Sequence, residues 1–380
     1  MDVVLFIFSI ILLFSNSFCL YRVPLHKHDS QNYSINGEVK QINKHQNPVS
    51  SQRLSVILMK YRDAEYYGMI SVGKPQQTFK VLFSTGFPYF WIQSKKCRWF
   101  RMACWNHNGY DSSKSSTYRK NGKPFHINDL YGKLSGVLSE DTLEFGNMII
   151  NNITFGEADK PPFLGIYDGV IGLAFPMKTY IGKPPLTSII SEGLLKKNIF
   201  SFFIDKHKKE NEVGKIIFGD WDESKFDLKS VNYIPLSDNT RWIFDIKYVH
   251  TDDGEQLCYA CQGLVDTGTA LILGHKDVVR KIHEKIGATI HGTEASVDCS
   301  KIDELPPITF SINNRSYSIK GHDYVVKRKH LYFFTRCMIG IVGSEKNKDR
   351  PWILGNIFLQ QFYTIFDADN KQIAFASLLH

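Results

Sequence analysis

From about Leu58 onward the chain is built of short runs in which apolar and polar residues alternate. Tyr66-Tyr67-Gly68-Met69-Ile70-Ser71-Val72 and Thr78-Phe79-Lys80-Val81-Leu82-Phe83 are two of them. Period-two runs broken every several residues by Gly, Pro or Asn predict strands joined by tight turns, hence an all-β chain. Helical spacing is rare. Ile189, Ile190 and Leu194 fall on one face within Leu186 to Leu195, and Val278, Val279, Ile282 and Ile286 do so within Lys276 to Ile286. Residues 20–53 follow neither period; they are polar, rich in Asn, Gln, Ser and His, and a poor basis for an independent core.

The most informative pattern occurs twice. Val81-Leu82-Phe83-Ser84-Thr85-Gly86 and Gly263-Leu264-Val265-Asp266-Thr267-Gly268 are both apolar runs ending in a polar residue, Thr and Gly. Each is followed by a second apolar-apolar-Gly, Val170-Ile171-Gly172 and Ile353-Leu354-Gly355. Gly172 lies 88 residues after Ser84, and Gly355 lies 89 after Asp266. A repeat on this scale predicts two similar lobes that bring their signatures face to face. One signature carries the carboxylate of Asp266. The other carries the hydroxyl of Ser84.

Composition adds limits. With 380 residues, 43% hydrophobic and 22% charged, the chain is globular and long enough for one large or two ordinary cores. Aromatics make up 13%, which favours β-structure. The net charge of +8 is spread among acidic residues and leaves no nucleic-acid footprint. Two short basic clusters, Lys206 to Lys209 and Lys327 to His330, read as solvated loop charge. Residues 3–14, VVLFIFSIILLF, are too short to span a bilayer and are followed by small residues up to Cys19. They predict a secretory signal peptide, 1–19, cut after Cys19, despite an n-region with Asp2 and no basic residue; an uncleaved anchor is the competing reading. No later stretch reads as a membrane span.

Removing Cys19 leaves six cysteines, Cys97, Cys104, Cys258, Cys261, Cys299 and Cys337, an even number suited to an oxidising compartment. Nearest neighbours would give three local bridges, though six cysteines allow many connectivities. Cys258-x-x-Cys261 also admits zinc or redox readings, with no second Cys/His pair nearby at ligand spacing. Asn32, Asn152 and Asn314 each begin an Asn-x-Ser/Thr sequon.

Two carboxylates held close cannot both ionise, so they share a proton; one then activates water while the other protonates a carbonyl. A paired Asp-Thr-Gly is therefore a strong sign of acid proteolysis, and a single one is weak. The chain resembles the pepsin-like aspartic proteases, the cathepsin D branch most of all, from Lys60 to its end. Arg62 to Gly68, Cys97 to Cys104 followed by Trp105, Ser115-Ser116-Thr117-Tyr118, Tyr167 to Ala174, Trp352 to Gly355 and Phe362 to Asp367 carry the likeness. The resemblance implies an all-β, bilobal pepsin-like fold: two pseudo-twofold-related β-barrel-like lobes, a few short helices and a deep substrate cleft. It also implies the three local disulfides, with Cys258 to Cys261 one residue tighter than in that branch. Tyr21 to Lys27 is similar to the start of a family propeptide, and Lys44 to a lysine that plugs the cleft; Lys44 reads equally as a free solvated lysine. The expected division is 1–19 signal peptide, 20–53 propeptide-like segment, 54–234 N-terminal lobe with flap and 235–380 C-terminal lobe.

Position by position, the resemblance puts the second catalytic Asp at Asp266 and the first at Ser84. Thr85 and Thr267 would bridge the lobes, and Trp91 would stand behind the flap. Gly86, Gly268 and Thr269 would offer main-chain contacts to a peptide. Phe87 takes the place of a Ser that bonds the carboxylate, Asn356 that of a common Asp, and Ala270 that of a frequent Ser. The flap Tyr falls on Asp129, which could be a new cleft charge contacting ligand, although an exposed hairpin-tip Asp is the commoner case; Tyr131 could substitute only if the hairpin register moved. No cofactor or metal is implied. The expected protein is a secreted or lysosomal monomer that binds an extended peptide or protein in its cleft, without nucleic acid and without membrane attachment after signal cleavage. As an aspartic-type endopeptidase homologue it is inactive or strongly impaired. The alternatives are an active acid endopeptidase using Asp266 with a bound water, and a secreted structural or interaction glycoprotein.

Overall fold

The alternating runs form strands in the computed structural model, which describes residues 54–62, 64–98, 102–129, 132–162, 165–175, 181–206, 212–330, 334–344 and 350–379. The expected leader, the propeptide-like segment with Asn32 and Lys44, and Tyr131 lie outside these residues. Strand Glu65–Val72 buries every even-numbered residue, as a half-buried strand should. Strand Gln77–Ser84 alternates as far as Lys80 and is buried on both faces from Val81 to Ser84. The change falls where it gains a parallel neighbour, Gly169–Gly172, on the edge opposite Glu65–Val72. Parallel pairing usually accompanies two covered faces, which accounts for the unbroken apolar run before Ser84.

Among the described residues the strands form a 13-stranded, a 7-stranded and a 4-stranded sheet, with a few short helices. The sequence repeat is a repeat of strand pairing. Gln77–Ser84 pairs parallel with Gly169–Gly172, which pairs antiparallel with Phe90–Gln93, which pairs parallel with Met148–Lys160. Gln256–Val265 pairs parallel with Trp352–Leu354, which pairs antiparallel with Ile272–His275, which pairs parallel with Ile341–Ser344. Each polar residue of interest therefore sits at the end of a strand, beside the end of its parallel partner.

The segment expected to join the lobes is itself a strand. Asn232–Pro235 pairs with Gln372–Ser377, near the end of the chain. Phe362–Asp367 in turn pairs with Ile199–Ile204. Strands from beyond residue 235 thus complete the sheet that carries Ser84. Trp242 locks this junction: it is fully buried, its Nε1 donates to the Leu173 carbonyl at 2.9 Å, and its ring lies 4.3 Å from that of Phe175. Phe200 and Phe366 stack beside it at 4.5 Å.

Helices appear where the spacing placed them, Pro185–Ser191 and Lys276–Lys285. The first stops short of Leu195 because Gly193 adopts a left-handed φ of 62°, and the Gly193 N–H turns back to the Ile190 carbonyl. Cys97–Cys104, Cys258–Cys261 and Cys299–Cys337 are disulfides. Asn152 and Asn314 are exposed. No helix among the described residues is long and apolar enough to cross a membrane.

Candidate active site

The two strand ends meet. Ser84 and Asp266 are both buried, and the Ser84 hydroxyl donates to Asp266 Oδ1 at 2.8 Å. Thr85 and Thr267 fix this approach through a reciprocal set of bonds. The Thr85 N–H donates to Thr267 Oγ1 and the Thr267 N–H to Thr85 Oγ1, both at 3.2 Å. Thr85 Oγ1 donates to the Val265 carbonyl at 2.7 Å, and Thr267 Oγ1 to the Phe83 carbonyl at 2.5 Å. Each hydroxyl is thus donor and acceptor at once, which only Ser or Thr can supply in so small a space. The arrangement obeys the twofold relation between the repeats.

Gly follows each Thr because nothing larger fits. A Cβ on Gly86 would lie 2.6 Å from Asp266 Cγ, and one on Gly268 would lie 2.6 Å from Ser84 Cβ. The close approach lets both backbone N–H groups reach the carboxylate. Asp266 Oδ1 accepts from Gly86 N at 3.1 Å and from Gly268 N at 2.9 Å, besides the Ser84 hydroxyl. Oδ2 accepts from the Thr269 hydroxyl at 2.7 Å. Thr269, expected to serve a peptide through its main chain, thus holds the carboxylate through its side chain.

The symmetry fails at the mates of Asp266 and Thr269. Three residues after Asp266 stands the Thr269 hydroxyl; three residues after Ser84 stands Phe87. Its ring is buried, meets Tyr89 edge-on at 5.0 Å, and belongs to an apolar cluster with Leu82, Trp91, Phe125 and Val170. Trp91 lies within this cluster, joined there by Phe125 from the overlying hairpin. The hairpin is Arg119–Asp129 paired with Gly132–Phe145, with Phe125 opposite Gly136 and Asp129 opposite Gly132. Asp129 thus closes the ladder at the hairpin end; Tyr131 lies outside the described residues. At the hairpin's base Asp141 accepts from Tyr110 at 2.6 Å and from Thr117 at 2.5 Å. Burial, then the Asp141 contact, pushes the Tyr110 hydroxyl far above its usual pKa, so it remains a donor.

Asn356 is buried after Gly355; its N–H donates to the Thr269 carbonyl and its Nδ2 to the Ala64 carbonyl at 3.0 Å. An amide makes that second bond at any pH, whereas a carboxylate there would have to be protonated. Ala270 contributes its carbonyl, which accepts from Ile357 N at 3.0 Å. The Thr269 hydroxyl contact and the Trp242 bond to Leu173 were not foreseen from the sequence. The first had a readable signal in Asp-Thr-Gly-Thr, but Trp242 had none.

A family model described as eukaryotic aspartyl protease matches residues 65–378. The chain is 32% identical over 401 residues to cathepsin D of Homo sapiens, with 97% of each chain covered. It is 36% identical over 331 residues to cathepsin D of Gallus gallus, covering 84% of this chain and 82% of that one. With cathepsin D of Dictyostelium discoideum the identity is 35% over 328 residues, covering 84% and 85%.

Proposed function

Because the chain belongs to the eukaryotic aspartyl protease family, we propose that it is a peptide-binding member with little or no turnover, in which Ser84 stands where the family carries its first catalytic aspartate. The observation that carries this reading is the 2.8 Å bond from the Ser84 hydroxyl to Asp266 Oδ1. Acid proteolysis needs that place filled by a second carboxylate, so that one group takes a proton from water while the other gives one to the peptide carbonyl. A hydroxyl bonded to Asp266 cannot exchange those roles with it. Loss of one general acid–base group typically costs about 10²–10⁴-fold in rate. Phe87 removes a further polar contact from the same side. A nucleophilic Ser84 would need a neighbouring base such as His and an oxyanion hole; its side-chain partner here is Asp266.

What the site keeps is suited to holding a peptide. The threonine bonds, the two close-approach glycines and the hairpin with Phe125 packed against Trp91 do not depend on a second acid. An extended peptide gains main-chain hydrogen bonds from strand-like walls and selectivity from alternate side-chain pockets. We place the protein in the secretory pathway, secreted or lysosomal, with residues 54–234 and 235–380 as its two lobes. The apolar leader, the three disulfides and the sequons support that placement.

Titration calorimetry with a statine-containing peptide at acid pH tests the reading. A saturable one-to-one complex, weakened by Asp266→Ala, is expected. No binding at all would favour a structural glycoprotein with an unused cleft and would sink the peptide-binding claim.

A further inference from the structure

Residues of the second half of the chain other than Asp266 line a cavity of about 700 Å³, within the range of small-ligand sites. Its lining includes Pro235 and Pro351, with Asp245, Lys247 and Gln262 supplying polar groups, while Ile234 and Ile246 behind it are buried. Two of its lining residues stand out. Tyr259 is 76% exposed, an unusual state for an aromatic on a strand flanked by a disulfide, Cys258–Cys261. Asn314 is the acceptor of the sequon Asn314-Arg315-Ser316.

The backbone makes Asn314 a rigid attachment point. Asn313 and Asn314 form the two-residue loop between Ile308–Ile312 and Arg315–Ile319, with φ of 44° and 61°. Two left-handed residues in such a loop mark a tight hairpin turn for which Asn is favoured. Asn313 is committed to the fold, its Nδ2 donating to the Tyr233 carbonyl at 2.8 Å. Both residues line the cavity, and of the two it is Asn314 that begins a sequon. A pyranose ring has C–H faces that pack on an aromatic ring and hydroxyl edges that bond carboxylate, amide and ammonium groups. The cavity offers both kinds of surface beside the nitrogen to which the sugar would be joined.

We propose that an N-linked glycan on Asn314 seats its first sugar rings in this cavity, against the Tyr259 ring. The proposal rests on the secretory reading above. Covalent tethering favours this occupant over a free saccharide because attachment keeps its local concentration high.

The full chain, expressed with its own leader in a glycosylating host, carries the test. Glycopeptide mass spectrometry reports occupancy at Asn314 and at Asn152, which is exposed on a strand and does not line the cavity. Peptide N-glycosidase is then applied to folded and to denatured protein. In folded protein the Asn314 glycan should be released about tenfold more slowly than the Asn152 glycan, since 1.4 kcal/mol of seating lowers the open population tenfold. Denaturation should abolish the difference. Tyr259→Ala should abolish it without changing occupancy, and Tyr259→Phe should preserve it. Equal release rates, no response to Tyr259→Ala, or modification of Asn152 without Asn314 would overturn the seat alone. Absence of modification at both sites would overturn the seat and the secretory reading together.

Discussion

Replacing Ser84 with Asp should restore the missing half of the chemistry. The hydroxyl oxygen at 84 is 2.8 Å from Asp266 Oδ1, so a carboxylate grown from the same Cβ lies within hydrogen-bond reach of its mate. Two carboxylates that close share one proton, with the second step of such a pair near about pH 5. Activity should therefore be present below that pH and lost as the shared proton leaves on the way up. A general acid is worth about 10²–10⁴-fold, or about 2.7–5.4 kcal/mol of barrier. Phe87 offers no counterpart to the 2.7 Å bond from Thr269 to Asp266 Oδ2, so the gain should lie toward the lower end, about 10²-fold. The assay is steady-state cleavage of a quenched fluorescent peptide from about pH 3 to 7, with both proteins titrated by a statine peptide to count binding sites. A Ser84→Asp protein that folds and binds the statine peptide, yet gains less than about tenfold, would refute the reasoning. The defect would then lie in the hairpin or the subsites rather than at residue 84.

Other consequences follow from the same geometry. Thr85→Val removes the donor to the Val265 carbonyl and the acceptor of the Thr267 N–H, leaving two buried backbone groups unpaired at about 1–3 kcal/mol each. Its urea midpoint should fall clearly, and an unchanged midpoint would contradict the proposed grip. Gly86→Ala puts a methyl 2.6 Å from Asp266 Cγ and should weaken statine-peptide binding about tenfold or more, equal to about 1.4 kcal/mol; affinity within twofold of the parent would show that the carboxylate can move aside freely. Burial holds the His283 imidazole below its ordinary value of 6.5, although its bond to the Ile341 carbonyl at 2.9 Å acts the other way. Its folded-state pKa is depressed, so the stability it confers is full above 6.5 and is lost as pH falls below it, where the unfolded chain takes up the proton first. His283→Gln should therefore show a smaller drop in Tm between pH 7 and 5 than the parent, and identical slopes would argue against this role.

Much of the fold could be read from local patterns because its determinants are local. Alternation in 65–72 fixed a strand and its buried face, whereas 78–83, which also reads as an alternating run, proves to be covered on both sides from Val81 onward. The repeated signature foretold two similar halves, which the fold realises as two matching sets of four paired strands; Gly172 and Gly355 are close-packed positions within them that few other residues could occupy. Long-range pairing was less legible. Nothing in Asn232–Pro235 announces that it joins Gln372–Ser377, because a four-residue edge strand carries no periodicity of its own. The residue types of the site were legible, while the division of labour was not. Asp-Thr-Gly-Thr reads as a catalytic loop, but only the folded geometry shows the second Thr hydroxyl bonded to the carboxylate. Likewise Phe87 looked like a lost hydroxyl, and the fold adds that its ring extends the apolar cluster holding Trp91.

The most direct measurement is turnover by the unaltered protein, freed of its polar N-terminal segment and given denatured globin between pH 3 and 7, beside an Asp266→Ala control. At every pH the parent should release peptides little or no faster than the control. Robust acid-dependent cleavage by the parent that a statine peptide blocks and Asp266→Ala abolishes would contradict this.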